Sequence, residues 1–324
     1  MKMTIATILR LALAAALALP GAGWAQGYPA RPVQLVIPFP AGGATDVVGR
    51  LVARNLADRL GQSVVADNRA GAGTVVGASY VANAAPDGHT LLISSGSTFT
   101  INPALSPKLA YDPIKSFEPL GMVARVPLIL LANPSVPASD FKELLKAIQA
   151  APDKYVYGSF GSGTTGHFAG EMLWERVGVK LMHVPYKGSA PALVDLIGGQ
   201  IPLSVDTVAA SLPHIRAGKV KAIAVLGDTR APQLPKVPTI AESGYAGFAA
   251  DSWLAVVAPR GLPVEVRARL QKEIAAVAAA PNLQKALIDA GLQPAYENGD
   301  AVEARIEDEL PRMRATVRRA GMQN

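Results

Sequence analysis

The sequence predicts an α/β protein of two domains joined by two chain crossings, and three observations carry that prediction. Short β-rich runs alternate with helical patterns along nearly the whole chain, the mark of α/β architecture with largely parallel sheets. An extended, mostly apolar run at 117–133 is broken by Pro127, and a proline inside a strand pattern marks an edge, a bulge or a passage between sheets. A loop at 227–238, rich in proline and charge, gives the chain a place to return. Two such domains enclose a cleft with a hinge at its back, a body able to close on a ligand. The alternative is a single α/β enzyme domain.

The elements follow in order. Residues 1–25 have the three parts of a secretory signal: Lys2 and Arg10 in front, an apolar run at 11–19, and small residues Gly23 and Ala25 before a cut at Ala25/Gln26. The apolar run is short and ends in Pro20-Gly21, which argues against a retained anchor. Cleavage leaves 299 of 324 residues and removes two cations and no acids, so the net charge falls from +6 to +4. That excess is no nucleic-acid footprint. No later apolar run reaches the roughly 18 residues of a bilayer span, and a soluble mature chain is expected.

A strand at 33–39 leads into a helix at 44–60. Val47, Val48, Leu51, Val52 and Leu56 share one face of it, Arg50, Arg54 and Asp58 lie elsewhere, and Gly61 ends it as a C′ residue does. A strand at 64–67, a helix at 74–83 and a strand at 90–95 come next. After a crossing near 125–128, strands at 155–160, 181–186, 201–206 and 221–226 alternate with helices at 139–150, 165–177, 190–198 and 209–217. A strand at 252–258 and helices at 263–279, 282–290 and 301–319 complete the first domain. The domains so drawn are 26–126 with 228–324, and 127–227.

Two turns carry the chemistry. Ile-Pro-Phe-Pro-Ala-Gly-Gly-Ala-Thr-Asp at 37–46 runs from strand straight into helix. A helix that starts at Gly43 or Ala44 leaves its first N–H groups without partners and adds a partial positive charge there. Gly42 and Gly43 have no Cβ to keep a ligand from the backbone. The turn at 158–167 repeats this logic, with Thr164 or Thr165 to cap the helix and Gly161 and Gly163 to permit the turn. Each alone is also an ordinary α/β connection. Facing one cleft, they bring two helix N-termini to one volume, as suits a ligand with one or two carboxylates.

No catalytic constellation competes. Cysteine is absent, which removes thiol catalysis, zinc–thiolate sites and disulfides. His89, His167, His183 and His214 are scattered without metal-ligand spacing, and there is no Gly-x-Ser-x-Gly elbow, dinucleotide fingerprint or P-loop lysine. Neither catalysis, metal nor cofactor is expected, and an exported α/β hydrolase or transferase is the competing reading.

The motifs also occur in the order and spacing of one family. They are Pro38-Phe39-Pro40-Ala41-Gly42-Gly43 with Asp46, the run Asn68 to Gly73, Pro86 to Leu91, His183-Val184-Pro185-Tyr186-Lys187-Gly188, Leu234 to Thr239, and Ser252-Trp253. The mature chain resembles the Bug, or TctC-like, periplasmic substrate-binding receptors of tripartite tricarboxylate transporters. The resemblance implies a two-domain periplasmic-binding-protein fold, type II-like, that closes on a small carboxylate in the periplasm. It implies a monomer that delivers this ligand to the transporter's membrane components and binds no nucleic acid. A receptor that signals to a sensor kinase is the alternative role.

Carried onto matching positions, the family's mode of binding by main-chain amides and water points to Phe39, Ala41, Gly42, Gly43 and Asp46 in the first turn. In the second it points to Ser159, Gly161, Thr164, Thr165 and His167. Thr164 stands where serine is common in the family, and His89 where tyrosine is. Several residues keep two readings. Asp46 either meets ligand or water or only stabilises the helix dipole; His167 contacts ligand or is structural; Tyr186, Lys187 and Gly188 line the rim of the second domain, or Lys187 is simply solvated. Asp206 either accepts from a ligand amino or hydroxyl group or caps its strand. Phe39, Phe160 and Trp253 are core or pocket wall.

Overall fold

The structure is a computed structural model that describes residues 27–106 and 108–319. The signal segment expected at 1–25 lies outside the described residues. The chain runs β1 (Val33–Ile37), α1 (Ala44–Leu60), β2 (Val64–Asn68), α2 (Val75–Ala82), β3 (Thr90–Ser95), a helical turn Ser97–Ile101 and α3 (Asn102–Leu105). Then follow β4 (Phe117–Val126), β5 (Leu128–Ala132), α4 (Phe141–Ala150), β6 (Val156–Ser159), α5 (Thr165–Val177), β7 (Met182–Pro185) and α6 (Ser189–Ile197). The chain ends with β8 (Leu203–Thr207), α7 (Val208–Arg216), β9 (Lys221–Val225), β10 (Ser252–Pro259), α8 (Val264–Ala278), α9 (Pro281–Asp289), β11 (Gln293–Asn298) and α10 (Gly299–Arg319).

Two sheets form two domains. The first has the order β11-β4-β10-β3-β1-β2 and the second β7-β6-β8-β5-β9. Pro127 lies between β4 and β5, so the chain changes sheets where the apolar run is interrupted. Strands that are covered on both faces read as continuous apolar runs, and here alternate residues serve opposite cores. Leu35 and Ile37 enter the cluster under α1 and α8, while Val36 joins Phe99, Phe117 and Trp253 on the other face. In β5, Leu128 and Leu130 face the α4 and α5 side, and Ile129 and Leu131 the α6 side. A smaller apolar cluster bridges the domains: Ile101 and Leu105 of the first, with Leu310 and Val317 of α10, meet Phe168 of α5.

Three expectations are corrected. The sheets are mixed rather than largely parallel: β10 runs antiparallel to β3 and β4, and β5 antiparallel to β8 and β9. These strands lie next to the crossings and are not joined to their neighbours by crossover helices, which parallel pairing needs. Residues 228–250, assigned from sequence to the first domain, pack on the second. Ile240 and Phe248 are buried in its core, Tyr245 stacks edge-on against Phe141 at 5.7 Å, and the Ala250 N–H donates to Leu226 O at 2.7 Å. Lastly, β11 has no counterpart in the sequence reading; it is an edge strand beside β4 with mostly half-exposed or exposed side chains.

Candidate functional site

Both glycine-rich turns sit where strands of the two sheets end and helices begin, and the structure brings them together. α1 starts after Gly43, which makes no side-chain cap, and Gly61 closes the helix in the left-handed conformation with its N–H on Ala57 O. α5 starts after Thr164, whose Oγ1 accepts from the His167 N–H at 3.4 Å and donates to Gly161 O at 2.6 Å. The Thr165 N–H donates across the domain interface to Ser97 Oγ at 3.0 Å.

A small pocket of about 30 Å³ lies between the turns. Its walls include Gly43, Ala44 and Thr45 of α1, Thr165 of α5, Gly188 and Ser189 at the start of α6, and Thr207, which caps α7. Four helix N-termini thus converge on one volume. Ser95 and Ser252 add hydroxyls, and none of the lining residues is a lysine, arginine or histidine. Phe39 and Phe160, one from each domain, meet edge to face at 6.4 Å. With Pro40 and Gly188 they line both this cavity and an outer cleft of about 880 Å³. The turn at 70–75, Asn102, Gly161 to Thr164, His167, Tyr186 and Lys187 are among the other residues of the outer wall.

The sequence-predicted residues divide accordingly. Gly43 and Thr165 line the inner cavity; Gly161, Thr164, His167 and Tyr186 line the outer cleft; Phe39 lines both. Ala41 and Gly42 are exposed and line neither. Asp46 is buried and committed to the scaffold. It accepts from the Gly42 N–H at 3.0 Å, from Asn68 Nδ2 at 2.9 Å and from Arg50 Nε at 3.1 Å. Burial pushes its carboxyl up, but the bonds from Arg50, Gly42 and Asn68 outweigh this and hold it below the usual range. Asp46 therefore fastens the first turn and has no free lone pair directed into either cavity. Ser159 is fully buried and its Oγ pairs with His183 Nε2 at 2.8 Å.

His167 and His183 stack with ring centroids 4.1 Å apart. Burial lowers His167 to about 4; burial, then the neighbouring His167, lowers His183 to about 3. Both rings are neutral at pH 7. Asp206 is fully buried, with Oδ1 accepting from Ser189 Oγ at 2.7 Å and from the Thr207 N–H at 2.7 Å. Burial pushes its carboxyl up to about 6 against those bonds. It sits beneath the N-termini of α6 and α7, behind the cavity wall. Sequence reasoning did not single out Thr45, Ser95, Ser189 or Thr207, hydroxyl residues at strand ends and first helical turns, and it took Ser252, at the start of a strand, only within the Ser252-Trp253 motif. That position is the signal by which they could have been found. Asn68 to Gly73 entered only as part of a motif.

The family described as the tripartite tricarboxylate transporter family receptor, TctC, matches residues 48–322. The chain belongs to this family. The resemblance read from its motifs is borne out, and so is the two-domain binding-protein fold. The solved periplasmic binding protein BugD is similar, at 38% identity and a TM-score of 0.87 over 91% of this chain and 99% of that one. Rpa4515 of R. palustris, solved with adipate, is 36% identical with a TM-score of 0.87 over 91% of this chain and 98% of its own. MatC of Rhodopseudomonas palustris, solved with bound malate, is 33% identical with a TM-score of 0.83 over 90% and 100%. This TctC-family chain thus has solute-binding relatives that hold small carboxylates.

Within the site, Thr164→Val should act on stability. It removes the α5 N-cap and leaves the His167 N–H without its partner, which costs about 1 kcal/mol. Urea unfolding checks this, and an unchanged midpoint would show that the cap bond contributes nothing.

Proposed function

We propose that the mature protein is a monomeric periplasmic receptor that captures a small carboxylate between its domains and delivers it to a tripartite tricarboxylate transporter. It performs no chemistry on it. The supporting observation is the convergence of four helix N-termini on one small cavity with no cationic side chain in its wall. Each such terminus favours an anion by roughly 0.3 to 2 kcal/mol, and hydrogen bonds to a charged group are worth about 1.5 to 3 kcal/mol each. A handful of them reaches micromolar affinity after the costs of association.

In this reading the N–H groups of α1's first turn, with Thr45, Thr165 and Ser189, hold one carboxylate. Phe39 and Phe160 flank the ligand's middle, and the outer cleft takes the remainder. Asp46 and Ser159 support the turns without touching ligand. The domains divide at 126/127 and 250/251, and the signal segment is cut after Ala25. Adipate and malate in the relatives favour short dicarboxylates.

Thermal unfolding of the mature protein against straight-chain mono- and dicarboxylates, followed by calorimetry, tests the reading. A true ligand at a hundred times its Kd should stabilise by about 2.7 kcal/mol. Stabilisation by no carboxylate, together with turnover of an ester or phosphate, would sink the proposal.

A further inference from the structure

In the wall of the outer cleft the two domains touch through a contact that leaves no room for side chains. In the first domain Gly71, Ala72, Gly73 and Thr74 have successive φ of 149°, 45°, 61° and 95°. A left-handed φ is costly at alanine and more so at a β-branched residue, and it persists only where the surroundings hold it. Here Asn102 holds it. Its Nδ2 donates to Gly73 O and, at 3.3 Å, to Thr74 Oγ1, while Thr98 Oγ1 donates to Thr74 Oγ1 at 2.7 Å. Asn102 is 7% exposed.

The second domain meets this assembly with Ser162 and Gly163. A Cβ on Gly73 would fall well inside contact distance of the Ser162 carbonyl oxygen, and one on Gly163 well inside contact distance of Asn102 Oδ1. All four residues line the outer cleft. Packed backbone does not compress, so the domains can approach no further here.

We infer that Asn102, braced on the turn 71–74 and butted against Gly163, is a specificity-determining end stop that sets domain separation and so the length of carboxylate the cleft accepts. This rests on the receptor reading above. The stop and the cavity walls belong to the same two bodies. Moving the stop outward by one methyl group therefore moves the opposing walls apart, and a mismatch of one methylene is worth about tenfold or more in discrimination.

Calorimetry with succinate, glutarate, adipate, pimelate and suberate tests this on the mature protein. Gly163→Ala should shift the preferred acid to a longer chain by at least one methylene, with about a tenfold loss for the acid preferred by the wild type. Asn102→Ser in that background keeps a donor for the turn and withdraws the amide oxygen, so the double variant should return the original order. Alanine at Gly163 is strained by its φ of +70°, but the double variant keeps that strain, so recovery separates the stop from the strain. Gly73→Ala, which meets Ser162 instead, should shift the order in the same direction and serves if Gly163→Ala does not fold. A uniform loss for all acids with their order unmoved, or no change, overturns the end stop alone. Wild-type protein that binds none of them overturns the receptor reading and the end stop with it.

Discussion

Gly43→Asp is expected to lower carboxylate affinity by at least about 100-fold while leaving the protein as stable as before, or slightly more so. Gly43 is the N-cap of α1 and offers no side chain, so the first N–H groups of that helix remain available at the inner cavity. Its φ and ψ of −84° and 171° are ordinary extended values, and a Cβ there would have the Pro40 carbonyl oxygen, at 4.0 Å, as its nearest neighbour. Aspartate therefore fits. Its carboxylate would occupy the same N–H groups and repel a second anion, removing two hydrogen bonds of about 1.5 to 3 kcal/mol each. As a cap it gains a few tenths of a kcal/mol over glycine, less whatever repulsion Asp46 exerts through its pairing with Arg50.

Gly43→Asn separates the causes, since it has the same shape and caps without charge. Its affinity should fall between those of wild type and the aspartate variant, and the gap between the two variants measures the electrostatic part. An aspartate variant that binds within a few-fold of wild type would remove the N-terminus of α1 from the site.

How much of this was legible follows from what each residue does locally. The helix at 44–60 was readable because its apolar face and its C′ glycine are local properties, and the anion-binding character of the two turns was readable because N-termini without partners follow from chain order. β11 was not, because Gln293 to Asn298 forms a half-exposed edge whose polar side chains carry no alternation. The return crossing was misplaced because Ile240 and Phe248 look like any loop apolar residues until the second core receives them. In the site, Asp46 carries the chemistry of a ligand contact, and only the positions of Gly42, Asn68 and Arg50 show it is already occupied. The inner cavity's hydroxyls, on Thr45, Ser95, Thr165, Ser189, Thr207 and Ser252, come from six separate stretches of chain. Nothing in their spacing joins them, so convergence is a property of topology alone.

Acidification from neutral pH to pH ~4 is expected to destabilise the fold by on the order of 2 kcal/mol through His167 and His183. The unfolded chain takes up these protons near the ordinary 6.5, whereas the folded rings, lowered by burial, do so only near 4 and 3. Their contribution is complete above 6.5 and is lost as pH falls from there through the folded values. Asp206 runs the other way. Raised by burial from 3.8 to about 6, it contributes fully below 3.8 and loses this as pH rises through 6. Two groups with larger displacements outweigh one, and the half-exposed His183 is discounted for solvent screening. Urea unfolding between pH 7 and 4 reads the balance. His183→Gln, which does not titrate and retains a partner for Ser159 Oγ, should flatten the dependence. Asp206→Asn removes the opposing contribution and should steepen it. An Asp206→Asn variant whose stability stays level across this window would mean the stacked pair is solvated enough to protonate in place.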